Sequence, residues 1–193
     1  MSVHGPNVPY TSDYESVRRA AVEEAVLAAR VAEELGAVVF VAHFGFSSCS
    51  EKTIREMLEQ LDGTSIKLAV ENGKSLPDFI GLADRINSNR FGIGVDIGHA
   101  QDADGINPFV KKKIARSTME QCGQRLFHLH LHDFTDRDHQ PPLTGRIQWG
   151  EVFAALSALG YNGELMFEPA YPSLEEVLTA TARFPAAFVE RYC

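Results

Sequence analysis

The feature that most constrains the fold is a regular alternation of helix-period segments and short β-rich segments along the chain. Apolar periodicity predicts helices over residues 15–35, 51–61, 76–87, 111–122, 151–159 and 174–191. Apolar β runs predict strands over residues 37–43, 66–71, 91–96, 126–132 and 164–168, with a possible short strand over residues 2–4. Strands that alternate with helices of about ten or more residues form a parallel sheet with right-handed crossovers. We therefore expect one α/β domain over residues 1–193.

The polar residues of the predicted strands favour a closed (β/α) barrel of the TIM type over an open, doubly wound sheet. No G-x-G-x-x-G motif follows the first long strand, so we expect no nucleotide cofactor. Four strands place bulky apolar residues on one face, place small or polar residues on the other, and end in Asp, Glu or His. A closed parallel barrel carries its catalytic groups at these strand ends.

The histidines follow the same rule as the strand-end acids. All seven fall at predicted strand ends, within one such strand or in the loops that follow: His4, His43, His99, His128, His130, His132 and His139. Histidines without a task would be scattered, and none of these lies in a predicted helix. Carboxylates and imidazoles that converge in a cleft are ligands for Mn²⁺, Mg²⁺, Co²⁺ or Zn²⁺. The sequence therefore predicts a divalent-metal site.

The composition of the chain indicates which partners and which cellular compartment to expect. The formal net charge is −8, and a protein that grips nucleic acid usually carries a positive footprint, so nucleic acid is not the expected partner. No apolar run approaches the roughly 18 residues that span a bilayer, and no secretory signal is recognisable at the start. Cys49, Cys122 and Cys193 form no CxxC pair and are expected to be free thiols of a reducing compartment, the cytoplasm.

Five segments resemble the xylose isomerase-like TIM-barrel superfamily: residues 68–72 (LAVEN), 95–100 (VDIGHA), 128–133 (HLHLHD), 138–149 (DHQPPLTGRIQW) and 160–169 (GYNGELMFEP). This superfamily contains sugar and sugar-phosphate isomerases and epimerases, inosose dehydratases, hydroxypyruvate isomerases and type-IV apurinic endonucleases. The resemblance spans nearly the whole chain. Its motifs are specific for the superfamily and weak for any one substrate.

The resemblance implies roles for four strand-end residues. Glu71, Asp96, His130 and Glu168 match the four ligands of the single catalytic metal ion in ketose epimerases. Glu71 and Glu168 also resemble the acid–base pair that moves the proton. The implied reaction isomerises or epimerises a small sugar or sugar phosphate. Proton abstraction beside a carbonyl would give an enediolate, which a divalent cation stabilises.

Further histidines resemble ligands of a second metal or of substrate. His99 matches a residue that binds substrate in the epimerases and metal in the endonucleases, and His4, His43 and His139 match endonuclease zinc ligands. That family also has an Asp two residues before the last of these histidines, where this chain has Arg137. A zinc-dependent phosphodiesterase of the endonuclease kind is therefore an alternative, and a non-catalytic, truncated remnant is another.

The other two histidines are expected to support the site. His128 lies deeper in its strand and is predicted to be a core histidine with satisfied hydrogen bonds or a neighbour of a ligand. His132 is predicted to be a loop residue or a neighbour of a ligand.

The number of strands falls short of a complete barrel. A TIM barrel has eight strands, and the resemblance begins at what corresponds to the end of the third, so an incomplete barrel that lacks roughly the first two β/α units is expected. Exposed sheet edges favour pairing with another chain. A homo-oligomer is therefore possible.

Overall fold

The computed structural model describes residues 1–72, 75–170, 173–176, 178–179, 182–183, 186 and 190. The strands are β1 (Ser2–His4), β2 (Val39–Phe44), β3 (Lys67–Asn72), β4 (Phe91–Asp96), β5 (Leu126–Leu131) and β6 (Leu165–Phe167). The helices are α1 (Glu15–Glu34), α2 (Ser50–Gln60), α3 (Leu76–Ile86), α4 (Ile114–Cys122) and α5 (Trp149–Leu159), and two short 3₁₀ turns cover Pro108–Val110 and Gly123–Arg125.

The six strands form one parallel sheet in chain order, β1-β2-β3-β4-β5-β6. The sheet curls into a nearly closed barrel, and a carboxylate bridges its two edge strands. Oε2 of Glu164, just before β6, accepts the backbone N–H of Ser2 at 2.7 Å, and the amino group of Met1 lies 2.9 Å from Oε1. The predicted (β/α) barrel is confirmed, with six strands in the described residues where a complete TIM barrel has eight.

The two faces of the strands pack as their alternation predicts. Leu68 and Val70 of β3 belong to the buried layer between the strands and the helices, together with Phe79 of α3. On the inner face, Gly94 leaves room for Val41, whose Cγ1 would lie 3.6 Å from a Cβ at position 94. Small residues on the inner face thus leave room for their neighbours, and the polar residues near the strand ends share this face.

Strand β6 departs from this pattern. Leu165, which its alternation assigns to the helix-facing side, has 41% of its surface exposed, and Met166 has 43% exposed. The reason is position, because among the described residues β6 is the last strand of the sheet and has a strand neighbour on one side only.

Several element boundaries also differ from prediction. Helix α4 begins at Ile114 and not at residue 111, because Lys113 has a φ of 71° and cannot continue a helix from the preceding turn. Helix α1 ends as its sequence favours, because Gly36 adopts a φ of 87°, a conformation that glycine takes up readily after a helix. The predicted helix over residues 174–191 lies partly outside the described residues, and those described within it are helical. None of the described helices has the length and apolar character needed to cross a bilayer.

Candidate metal centre

The barrel brings the four predicted ligands to one rim. Glu71 lies near the end of β3, Asp96 ends β4, His130 lies near the end of β5, and Glu168 follows β6 directly. Asp96 and His130 are direct partners in the β4–β5 register. Because parallel strands in register end at the same edge, residues that are distant in sequence meet here.

The ligand atoms of these four side chains form a compact group. One nitrogen or oxygen from each of Glu71, Asp96, His130 and Glu168 lies within 4.8 Å of the others. His130 Nδ1 lies 2.8 Å from Glu168 Oε2 and 3.4 Å from Glu71 Oε2. The first three side chains are buried, whereas that of Glu168 is 43% exposed. Glu168 therefore marks the side from which a small molecule can approach.

Two buried atoms of this group lack an aligned hydrogen-bond partner among the described residues: Oδ2 of Asp96 and Nδ1 of His130. Each nonetheless lies within about 3 Å of an oppositely charged group, at 3.1 Å from His99 Nδ1 and at 2.8 Å from Glu168 Oε2. Buried polar atoms are rarely left unpaired. Without a metal ion these contacts are ion pairs, and the four side chains bring their nitrogen and oxygen atoms close enough together to share one cation. Three carboxylates and one imidazole suit Mn²⁺, Mg²⁺ or Co²⁺ and also accept Zn²⁺.

The charges of the group depend on each other. Burial raises the pKa of Glu71, but hydrogen bonds with His130 and His4 more than offset this and lower its pKa to about 2. Burial lowers the pKa of His130, whereas Glu168 and Glu71 raise it, to a final value of about 10. The imidazolium of His130 in turn lowers the pKa of Glu168. Glu71 and Glu168 thus stay ionised next to the imidazolium of His130.

Asp96 is fixed from several sides. Its Oδ1 accepts the backbone N–H of His99 at 2.9 Å and lies 2.7 Å from Nε2 of His132. Burial pushes the pKa of Asp96 up, but the bonds from His132 and His99 hold it below its ordinary value. Asn72 also bonds the main chain of Asp96, accepting its N–H at 2.9 Å and donating to its carbonyl at 3.2 Å. No role was predicted for Asn72 from the sequence, although its position beside Glu71 in the LAVEN run was the available signal.

A second group forms around the same Glu71. Nε2 of His4 lies 3.3 Å from Glu71 Oε2, and Nε2 of His43 lies 3.2 Å from the same oxygen. Their ring centroids are 4.7 Å apart, and the side chains are 39% and 41% exposed. A hydrogen bond with Glu71 raises the pKa of His4. These residues could hold a further cation on the open side of Glu71.

A third group contains three imidazoles, those of His99, His132 and His139. His99 is held between carboxylates, with Nδ1 at 3.1 Å from Asp96 and Nε2 at 2.8 Å from Asp138, and Asp96 raises its pKa to about 9. His132 uses both ring nitrogens, one toward Asp96 and one to accept the backbone N–H of His139 at 2.8 Å. While these bonds hold, the group offers no three-imidazole site. His132 follows β5 directly, as expected, but it is fully buried.

His128 is buried, as predicted, but one of its ring nitrogens differs from the prediction. It is a core residue, 1% exposed, with its ring 4.8 Å from that of His130. Its Nδ1, however, has no hydrogen-bond partner in the part of the chain that the structure describes. Burial lowers its pKa to about 4. The predicted buried position is confirmed, and the ring lies beside His130, as expected of a neighbour of a proposed ligand. The expected satisfaction of its hydrogen bonds is not met at Nδ1 among the described residues.

One protein family and several relatives are similar in sequence to this chain. The sequence model of the xylose isomerase-like TIM barrel matches residues 1–186. An uncharacterised protein of Methanocaldococcus jannaschii is 30% identical over 190 residues, which cover 86% of this chain and 63% of that protein. An uncharacterised protein of Sinorhizobium fredii is 29% identical over 122 residues, covering 62% of this chain and 35% of that protein. The chain thus spans less than two thirds of the length of these relatives.

Solved structures of similar fold include sugar epimerases. A D-tagatose 3-epimerase-like protein superposes with a TM-score of 0.79 at 23% identity, covering 99% of this chain and 77% of that one. The IOLI protein, solved with a zinc atom bound, gives 0.81 at 17% identity, with 100% and 77% covered. A 3-keto-D-glucoside 4-epimerase from E. coli gives 0.75 at 13% identity, with 96% and 78% covered. At these identities the likeness is one of fold.

Proposed function

Because the chain belongs to the xylose isomerase-like TIM barrel family, we propose that it is a divalent-metal-dependent isomerase or epimerase of a small sugar or sugar phosphate. The observation that carries the proposal is the convergence of Glu71, Asp96, His130 and Glu168 within 4.8 Å at one rim of the barrel. The fold that the chain shares with sugar epimerases supports it.

The four converging residues would hold the metal ion. Asp96 Oδ2 and His130 Nδ1, which lack aligned partners among the described residues, are the atoms that such an ion would satisfy. A bound divalent cation would neutralise the negative charge that develops on the sugar oxygens as a proton leaves the neighbouring carbon.

Glu71 and Glu168 would move the proton. Both carboxylates are ionised at neutral pH, since their pKa values lie below the ordinary range, and each can act as a base. One takes the proton from the carbon beside the carbonyl, and the C–H electron pair shifts into a C=C bond while the carbonyl oxygen becomes anionic. The other carboxylate must first take up a proton, from solvent or from a hydroxyl of the substrate. It then returns that proton to the opposite face, which inverts that carbon, or to the adjacent carbon, which moves the carbonyl.

His99 would contact the substrate at the edge of this site. Its side chain is 27% exposed and lies between Asp96 and Asp138, so one edge of the ring faces the opening. Both ring nitrogens face carboxylates, so Nε2 would turn from Asp138, whose side chain is 45% exposed, to a sugar hydroxyl, while Asp96 keeps the ring in place.

The test combines metal content with proton exchange. Protein purified without chelators is analysed by elemental mass spectrometry, and a panel of ketoses and ketose phosphates is incubated with it in D₂O. About one manganese, cobalt, magnesium or zinc ion per chain, with deuterium appearing beside the carbonyl of one sugar, is the expected result. A chain that binds no metal after soaking in these ions would contradict the proposal and would favour a non-catalytic remnant.

A zinc-dependent phosphodiesterase is the second candidate, supported by the group that His4 and His43 form with Glu71. The net charge of −8 and Arg137, which stands where the endonuclease pattern has an Asp, speak against it. Two or three zinc ions per chain, together with cleavage of a duplex that contains an abasic site at physiological salt, would establish this candidate over the first.

A further inference from the structure

The two carboxylate oxygens of Asp96 have unequal surroundings. Oδ1 accepts the backbone N–H of His99 at 2.9 Å and is reached by Nε2 of His132 at 2.7 Å. Oδ2 is buried and lies 3.1 Å from Nδ1 of His99, but it has no aligned donor among the described residues. The well-aligned bonds therefore all go to Oδ1, and the side chain that makes one of them is outside the four proposed ligands.

Hydrogen bonding fixes the tautomer of His132. The backbone N–H of His139 donates to Nδ1 of His132 over 2.8 Å, and a backbone N–H can be received only by a lone pair. Nδ1 also lies 3.4 Å from the carbonyl oxygen of Asp133, but the contact with the His139 N–H is the shorter, at 2.8 Å. Nδ1 is therefore the acceptor, and the ring proton lies on Nε2. Nε2–H then donates to Oδ1 of Asp96, so the direction of this bond follows from the loop that carries His139.

Packing also fixes the position of the ring. The imidazole of His132 stacks on that of His139 with centroids 4.3 Å apart and planes 2° from parallel. Gly98 also lies against the ring, since a Cβ there would overlap the imidazole. These two close neighbours restrict the movement of the ring away from Asp96.

We infer that His132 is a positioning residue for the metal site: by engaging Oδ1 of Asp96 it turns Oδ2 toward the ion. This inference rests on the proposed function, since it assumes that Asp96 is a ligand. It also links the site to the loop after β5, because the bond from the His139 backbone sets the tautomer that His132 needs. Hydrogen bonds to a metal-ligating group typically contribute 10–100-fold to metal affinity.

The test uses two substitutions that separate the two nitrogens. In His132→Gln the side-chain amide nitrogen stands near the place of Nε2 and can still donate to Asp96. In His132→Asn the shorter side chain can still accept from His139 but no longer reaches Asp96. Co²⁺ is titrated into each protein after chelator treatment, and its affinity and visible absorption spectrum are measured. Thermal melting of the metal-free proteins checks that both variants fold.

The expected result is that His132→Asn binds Co²⁺ about 10–100-fold more weakly with an altered spectrum, while His132→Gln recovers most of the affinity. Unchanged affinity and spectrum in His132→Asn would overturn the inference and leave the proposed function standing. Failure of the unsubstituted protein to bind Co²⁺ would overturn both. For the case in which His132→Asn does not fold, ¹⁵N NMR of the unsubstituted protein gives the tautomer directly, and a proton on Nδ1 of His132 would overturn the inference.

Discussion

The indole Nε1–H of Trp149 donates a hydrogen bond of 2.9 Å to Oδ2 of Asp133, and both side chains are buried. Oδ1 of the same carboxylate accepts the backbone N–H of Phe134 at 2.8 Å and that of Ile147 at 3.1 Å. Asp133 thus joins the segment after β5 to the first residue of α5. The loop between them carries His139, so one carboxylate outside the proposed ligand set holds a flank of the site.

Replacing Asp133 with Asn should destabilise the protein by about 1–3 kcal/mol, because the amide keeps one acceptor oxygen and turns an NH₂ group toward a buried N–H donor. Urea unfolding followed by circular dichroism measures the effect. Asp136→Asn, in an exposed position three residues along the same loop, is the matched control and should change little. Equal behaviour of the two variants would remove Asp133 as an anchor of the loop.

Glu168→Gln should lower turnover of the sugar substrate by roughly 10²–10⁴-fold while the fold is retained, because an amide cannot accept the substrate proton. Deuterium exchange in D₂O gives the rate, and melting temperature and metal content show whether fold and ion survive. Glu176→Gln, the same chemical change at an exposed site, should be silent. Retained exchange in Glu168→Gln would take Glu168 out of the mechanism.

Stability of the metal-free protein should depend on pH in a defined window. Glu71, whose pKa of about 2 lies below its ordinary 4.5, contributes stability that is present above about pH 4.5 and lost as pH falls toward 2. His130, whose pKa of about 10 lies above its ordinary 6.5, contributes stability that is present below pH 6.5 and lost as pH rises through 10.

Binding of a metal ion should offset the stability that the metal-free protein loses at alkaline pH. Binding of Mn²⁺ to His130 requires loss of its proton, so the increase in melting temperature caused by Mn²⁺ should grow as pH rises toward about 10. Melting curves with EDTA and with Mn²⁺ at about pH 5, 7 and 9 test both halves. A gain from Mn²⁺ that is the same at every pH would show that His130 is not a ligand.

Two glycines of β4 should respond differently to alanine. A Cβ at Gly92 would overlap the carbonyl oxygen of Arg125 and the ring of Phe127, whereas a Cβ at Gly94 would meet its neighbours at 3.6 Å or more. Gly92→Ala should therefore cost about 1–3 kcal/mol, and Gly94→Ala should be nearly neutral. Chemical denaturation of both variants measures the loss in the free energy of unfolding. Equal losses would contradict the packing described around these two glycines.

Self-association is expected from the outer surface of α1. Leu27, Val31 and Leu35 recur at four-residue spacing and are 65%, 48% and 71% exposed, which forms an apolar stripe. Size-exclusion chromatography with light scattering should show a dimer or larger species that Leu27→Lys with Leu35→Lys converts to monomer. Ile106→Lys, at an exposed residue in the loop after β4, should leave the species unchanged. A monomer at all concentrations would count against the prediction.

The sequence by itself determined the elements and the chemistry at their ends. Helix and strand periodicities depend on neighbours a few positions away, so all six strands and the first five helices were predicted within a few residues of their observed bounds. The alternation within each strand, which is also local, assigned Glu71, Asp96 and His130 to the inner face. The resemblance to a known family then named the same residues, with Glu168, as a ligand set.

Only the tertiary structure decided how these groups meet. A register shift between Ile93 and Gly94 inserts one extra residue in β5, and Gly94 then pairs with His128 and Asp96 with His130. The bond between His132 and Asp96 spans 36 residues and depends on that register and on the closing curvature of the barrel. Local patterns carry no information on such distances, because they arise from the packing of the whole sheet. For this reason the sequence could not predict that Nδ1 of His128 has no hydrogen-bond partner among the described residues. Nor could it predict that Asp133 anchors the loop.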